Sequence, residues 1–174
     1  LSKFLKIVNE PKGHGIGMRN ITVSTCGIVP MILRFAEDFN QVNLAISLHA
    51  SSDEDRSAIM PINNRYDIKE VLSACDEYTK KTKRRITYEY TLVSGVNDSV
   101  QSAKRLAGLL KGKLCHVNLI PLNEVKDSGF VTVSKSKAFE FQKALEEAGI
   151  PATIRRELGD DIDAACGQLR LNNE

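Results

Sequence analysis

Apolar and polar positions along this chain switch repeatedly between a helical period and a strand period, and the switches mark its elements. Residues 1–9 read as the end of an amphipathic helix. Pro11 to Gly17, with glycines at 13, 15 and 17, reads as a flexible turn. Ile21–Ser24 is a short β-branched run and predicts a strand. Val29, Ile32, Leu33, Phe35 and Ala36 then fall at helical spacing over 29–38, with Pro30 tolerated in the first turn. Val42–Leu48 predicts a second strand. Asp53 and Glu54 start a short helix to about Met60, and Pro61 stops it. Asp67 caps a long helix to about Lys83, with Ile68, Val71, Leu72 and Cys75 on one face.

Arg85–Val93 alternates as a third strand. Asn97 and Asp98 open the next helix, with Leu106, Leu109 and Leu110 on one side and Lys111-Gly112-Lys113 at its end. Leu114–Pro121 predicts a fourth strand, and 123–133 a polar loop. Ser134 caps a helix with Phe139, Phe141, Leu145 and Ala148 as apolar positions, ended by Gly149. Ala152–Arg156 predicts a fifth strand, followed by a loop from Gly159 to Gly167 with three aspartates. The tail from Leu169 is too short to assign.

Strands and helices in alternation, with near-continuous apolar strands, predict an α/β fold on a parallel sheet. A doubly wound sheet and part of a (β/α) barrel both fit five such strands. The polar positions favour the barrel, whose chemistry sits at the C-terminal ends of its strands. Here those ends carry Ser24, then Ser47 and His49, then Asn97, then Asn123, then the Asp160–Cys166 loop.

Composition narrows the class. The 174 residues suit one domain. Apolar residues at 42% and balanced charge, 24 basic against 22 acidic, exclude a disordered chain. A net charge of +2 decides little: a dedicated nucleic-acid module is usually far more basic, but an enzyme needs only a local basic patch. No apolar run is long enough for a membrane span, and the first residues lack the pattern of a signal peptide. The opening on helix without an initiator Met leads us to expect a longer parent protein. Cys26, Cys75, Cys115 and Cys166 form no CxxC, and no close Cys/His set suits zinc. Free thiols in a reducing cytoplasm are expected.

Several segments carry candidate chemistry, each with an ordinary alternative. Gly13-x-Gly15-x-Gly17 precedes a strand and opens no helix, which favours a connector over a phosphate loop. Ser47-Leu48-His49-Ala50 ends a strand with a hydroxyl and an imidazole, groups that bind a ribose or a carboxylate, or simply a polar strand end. Lys80–Arg85 holds five basic residues in six, either a solvated helix end or a phosphate contact. Arg155 and Arg156 are a second candidate for phosphate contact, nearer the polar strand ends. Asn123 ends a strand with an amide that pairs with an adenine edge or a carboxylate. Cys166 lies among small residues in a loop, open to reagents, yet its neighbouring aspartates would disfavour a thiolate.

Five segments, in order, carry a resemblance: Ile21–Gly27, Ala45–Ala50, Met60–Asn63, His116–Asn123 and Gly159–Leu169. Together they resemble the RlmN family of dual-specificity radical SAM RNA methyltransferases, to which the antibiotic-resistance methylase Cfr is related. Leu122 before Asn123 fits RlmN better than Cfr. The resemblance implies the C-terminal strands and helices of a partial TIM-like (β/α)6 radical SAM barrel, with residues 1–174 as the C-terminal part of that domain. It implies methylation of carbon 2 of an adenosine in 23S rRNA and in tRNA. Ser24, Ser47, Leu48, His49 and Asn123 match positions that bind S-adenosylmethionine (SAM). Cys166 matches the cysteine that first takes a methyl group, from which a 5′-deoxyadenosyl radical then removes hydrogen. A four-iron, four-sulfur cluster is implied, with its CxxxCxxC ligands expected before Leu1, as is a Gly-Glu-Pro strand end that helps hold SAM. No metal ligand is expected within these residues.

Carbon 2 of adenine is electrophilic and has no electron pair to offer a methyl cation. A cysteine that holds the methyl within reach of a radical solves that problem. The resemblance further implies an electron donor such as flavodoxin, a cytoplasmic location, no membrane and an inactive fragment. The fragment's open sheet edge favours self-association. Cys26, Cys75 and Cys115 receive no catalytic role. Two other classes compete: a non-catalytic RNA-binding α/β scaffold, and a cysteine- or lysine-dependent α/β hydrolase or aldolase.

Overall fold

The computed structural model describes residues 1–122 and 131–155. Its elements are α1 (Ser2–Asn9), β1 (Thr22–Thr25), α2 (Val29–Asp38), β2 (Asn43–Ser47), α3 (Asp53–Ile59), α4 (Ile68–Thr82), β3 (Ile86–Leu92), α5 (Val100–Leu110), β4 (Cys115–Pro121), α6 (Lys135–Glu147) and β5 (Ala152–Ile154). The strands form one sheet in sequence order, β1-β2-β3-β4-β5. β1 runs parallel to β2 with Ser24 beside Ala45 and Thr25 beside Ile46. β4 runs parallel to β5 with Leu119 beside Ile154. The predicted parallel α/β architecture is therefore present.

The strands are less uniformly apolar than predicted. β3 and β4 alternate between buried and half-buried residues. Ile86, Tyr88, Tyr90 and Leu92 are buried, while Thr87, Glu89 and Thr91 are half-buried. Such alternation means that one face of each strand is covered and the other keeps some contact with solvent.

Contacts divide the described chain into two compact units. The first comprises Leu1–Leu48, Ser52–Tyr88 and Gly112–His116. Its core includes Leu5, Phe39 and Val42, with Met18, Ile21, Val23 and Phe35 packed against them. Tyr78 stacks on Phe35 and its hydroxyl donates to the Val42 carbonyl at 2.6 Å. α4 is fixed at its start by a capping box: the Asp67 carboxylate accepts from the Glu70 amide at 2.7 Å, and Glu70 accepts from the Asp67 amide at 3.1 Å. Lys83, at φ 58°, ends it in the left-handed region.

The second unit comprises His49–Ser51, Glu89–Lys111 and the described residues from Val117 onward. Tyr90 packs on Phe141 at 5.1 Å between ring centres. Lys137 pairs with the buried Asp98 at 3.1 Å. Thr132 bridges back to Val93 in antiparallel fashion, and Val133 is buried, so the end of the predicted polar loop is an apolar anchor.

One helix start and the apolar faces of two helices differ from expectation, while α3 starts at Asp53 as predicted. Ser52 caps α3 and Ser99 caps α5, each accepting from the amide three residues on. Asn97 and Asp98, predicted to open α5, are instead buried in the preceding turn. In α6 the buried positions are Ala138, Phe141 and Leu145, while Phe139 is 62% exposed. Phe139 lies one residue, about 100° around the helix, from that stripe, which is why its hydrophobicity misled. Likewise Leu33 of α2 is exposed, and Ile32 and Ala36 carry the burial.

Candidate functional site

In the first unit the candidate positions lie where β1 and β2 end. The parallel register puts both C-terminal ends at the same edge of the pair. Ser24 is exposed on β1, and Ser47, the last residue of β2, is half-buried. Leu48 is fully buried and presents no surface to a ligand in this arrangement.

The strand ends are held by a residue that sequence reasoning missed. Arg56 of α3 is fully buried. Its Nε donates to the Leu48 carbonyl at 3.2 Å, and one terminal nitrogen donates to the carbonyls of Cys26 at 2.8 Å and Ser47 at 3.4 Å. The other donates to Asn63 Oδ1 at 2.8 Å and to the Tyr66 carbonyl at 3.3 Å. All five N–H groups are thereby used. Asn63 is itself tied through Nδ2 to Asp53 and Ser57. Burial lowers the Arg56 pKa, while the Cys26 thiol and the Asp53 carboxylate act to raise it.

Gly27 completes this corner. Its φ is 99°, and a Cβ there would lie 2.9 Å from a methyl of Val71 and 3.4 Å from the Arg56 guanidinium. Only glycine fits both the backbone and the space. No spacing signal distinguishes Arg56 from the surface charges around it, since Asp53, Glu54 and Asp55 precede it in a helix that is polar up to Ser57.

In the second unit His49 follows the strand end in the left-handed region, at φ 59°. Its amide donates to the Glu89 carbonyl at 3.2 Å. Its Nδ1 accepts from the Thr91 amide at 3.1 Å, which makes Nε2 the ring's proton-bearing nitrogen. Asn97, 2% exposed, donates through Nδ2 to the carbonyls of His49 at 2.9 Å and Thr91 at 2.7 Å. Its Oδ1 accepts from the Val93 amide at 2.8 Å. The predicted polar residue Asn97 is thus real, but it is a buried tie and not an open rim group.

Arg155 is exposed after β5, its amide donating to the Leu119 carbonyl at 2.8 Å. Asn123, Arg156 and Cys166 lie outside the described residues. The basic run at 80–85 lies at the N-terminal end of β3, away from the strand exits, and is partly paired: Lys80 with Glu77, Lys81 with Glu37, Arg84 with Asn43. That pairing favours a solvated helix end.

The described cysteines separate by environment. Cys75 and Cys115 are buried, as their positions predicted, and Cys26 is half-buried. All three are free thiols. Burial pushes the Cys75 thiol up to about 12, and raises Cys115 as well. These two thiols are inert at neutral pH. Among the described residues no group of three His, Cys, Asp or Glu side chains could hold a metal ion, and no helix is long and apolar enough to cross a membrane.

The fold has close counterparts. A crystal structure of a radical SAM methyltransferase from Sphaerobacter thermophilus matches 95% of this chain at 49% identity with a TM-score of 0.92, over 49% of its own length. A domain of pyruvate-formate lyase-activating enzyme from Bacteroides vulgatus shares the fold at 17% identity and a TM-score of 0.66. The architecture is that of radical SAM methyltransferases.

The sequence then gives the family. Over 168 residues, 97% of the chain, it is 57% identical to the probable dual-specificity RNA methyltransferase RlmN of Thermoanaerobacter sp. strain X514. It is 58% identical to that of Clostridium perfringens strain SM101 over the same length. No family model matches the chain. The chain belongs to the RlmN family, and it spans about half the length of the curated relatives it matches.

Proposed function

We propose that this chain is part of a radical SAM RNA methyltransferase that methylates carbon 2 of an adenosine in 23S rRNA and in tRNA. The observation that carries the reading is the identity of more than half of all residues to RlmN proteins over almost the whole chain. The wider assembly includes an electron donor such as flavodoxin and works in the cytoplasm. The chain by itself is inactive and, with β1 ending the strand order, prone to self-association.

The described residues suit SAM. Ser24 and Ser47 offer hydroxyls where β1 and β2 end, and His49 offers an N–H donor from a fixed ring. Donors and acceptors of this kind suit ribose hydroxyls and a carboxylate. When bound, SAM supplies a methyl group and, on reductive cleavage, a 5′-deoxyadenosyl radical. Leu48 acts by anchoring the strand end, and Asn123 adds a further amide. Among the described residues no group of side chains fits a four-iron cluster, and the reading assigns that cluster to a CxxxCxxC loop of a longer parent protein.

Cys166 is the methyl carrier. Its sulfur would take the methyl of one SAM by displacement, with S-adenosylhomocysteine as the leaving group and the thiol proton released, and so hold the carbon as a thioether until a radical removes hydrogen from it. Arg155 and Arg156 contact RNA phosphates. The test is to map the Cys166 peptide by mass spectrometry in a longer protein that carries this chain with a CxxxCxxC loop, expressed with iron and sulfide. A peptide heavier by one methyl, absent in Cys166→Ala, is expected. An unmodified Cys166 in a protein that holds its cluster and SAM would overturn the methyl-carrier role.

A further inference from the structure

Among the described candidate ligand-binding residues only His49 is held in a left-handed backbone, a conformation that is strained for a non-glycine residue and persists only when its surroundings enforce it. The neighbouring backbone and side chains supply that enforcement. The His49 amide and carbonyl are both tied, to Glu89 and to Asn97, and the ring is tied to Thr91. Asn97 reaches Thr91 as well, through the carbonyl of the residue whose amide holds the ring. Tyr90 in turn donates its hydroxyl to the Asn97 carbonyl at 3.1 Å. One buried amide therefore grips both halves of the imidazole's support: the backbone that carries the ring and the strand that orients it.

We propose that Asn97 is a positioning residue for SAM binding, acting through His49. It fixes the His49 backbone and holds Thr91 so that its amide meets Nδ1. The ring is then neutral, with its proton on Nε2, and serves the ligand as a hydrogen-bond donor to a ribose or carboxylate oxygen. Asn97 does not itself touch the ligand. The assignment rests on the reading of His49 as a SAM-binding residue.

The consequence is a division of labour specific to the amide. Its Nδ2 serves His49 and Thr91, and its Oδ1 serves Val93. Asn97→Asp keeps the acceptor for the Val93 amide and loses the two donors. A purely structural asparagine would lose stability on this change without altering the state of one particular imidazole.

The experiment uses the longer protein carrying this chain, with its cluster in the oxidised state so that SAM is bound but not cleaved, and labelled with ¹⁵N-histidine. In the wild type the His49 resonances are expected to show the Nε2–H tautomer, and in Asn97→Asp a mixture of tautomers or a protonated ring. SAM affinity is then measured by calorimetry in a double-mutant cycle of Asn97→Asp and His49→Ala. Each single change is expected to weaken SAM by roughly tenfold, the loss of one well-placed hydrogen bond. The double variant is expected to be little weaker than His49→Ala alone, because Asn97 acts only through that ring.

A wild-type His49 with its proton on Nδ1 would overturn the proposal without any variant having to fold. Additive losses in the cycle would overturn it too, by showing that Asn97 acts elsewhere. If His49→Ala leaves SAM affinity unchanged, the SAM-binding reading of His49 fails and the proposal with it. A correct tautomer in that case would trace the fault to the reading rather than to the local geometry.

Discussion

The two units solve the same problem, holding a strand exit in place, with opposite chemistry. In the first, a buried cation gathers carbonyls from Cys26, Ser47, Leu48 and Tyr66, together with the Asn63 amide oxygen. In the second, a neutral amide ties His49, Thr91 and Val93. The guanidinium has five donors and no acceptor, so it suits a place where several chain segments leave their carbonyls unpaired. Keeping it buried costs desolvation, which the carbonyl dipoles and Asp53 must offset. The asparagine both donates and accepts, so it suits a tight turn where amides and carbonyls are mixed. The difference teaches that polar residues in this fold are buried where strands end, and that their type follows the inventory of unpaired backbone groups.

The sharpest way to break this comparison is to remove each tie. Arg56→Met should destabilise the protein by about 3–5 kcal/mol, since it leaves several buried carbonyls without donors. Asn97→Ala should cost less, about 1–3 kcal/mol. Urea denaturation of the protein carrying this chain measures both, and a reversed order would refute the contrast. Gly27→Ala comes next, at about 2 kcal/mol from backbone strain and the close approach to Val71. Shortening Val71 should recover only the steric part. Equal stability of Gly27→Ala and wild type would mean that the corner around Arg56 yields easily.

Smaller effects sharpen the picture. Tyr78→Phe removes the hydrogen bond to the Val42 carbonyl, and Ser99→Ala removes the cap of α5. Each should cost about 1 kcal/mol, and a shift in thermal midpoint reads both. Smallest is the pH effect of Cys75. Its thiol stays protonated up to about 12 when folded, against an ordinary value of 9.0. Above pH 9 the unfolded chain gives up this proton first, so its contribution to stability is full below pH 9 and falls between about 9 and about 12. Cys75→Ala should flatten that part of the profile. A thiol reagent on the native protein at pH 8 should modify Cys26 and spare Cys75 and Cys115, and early labelling of Cys75 would contradict its burial.

Much of the fold was legible because its signals are local. The β-branched run at Ile21–Ser24, the alternation over Arg85–Val93, and the Asp67 and Ser134 caps gave strands and helices close to those observed. The candidate site was legible only in part. Ser24, Ser47 and His49 were marked by polar groups at strand ends, and the resemblance gave them a ligand. Arg56 was hidden in a helix whose other residues are mostly charged or polar and lie on the surface, and Asn97 was mistaken for a helix opener. Their burial depends on which carbonyls approach them in space, and Cys26 is 30 residues from Arg56 and His49 is 48 from Asn97.

The sequence by itself determined the element order, the parallel α/β class and the RlmN family, because periodicity, caps and identity are carried along the chain. Only the tertiary structure decided which polar residues become buried ties, how His49 is turned and which nitrogen of its ring accepts. Those properties arise when strand ends leave backbone groups unpaired, and a buried group without a partner costs more than the side chain that supplies one.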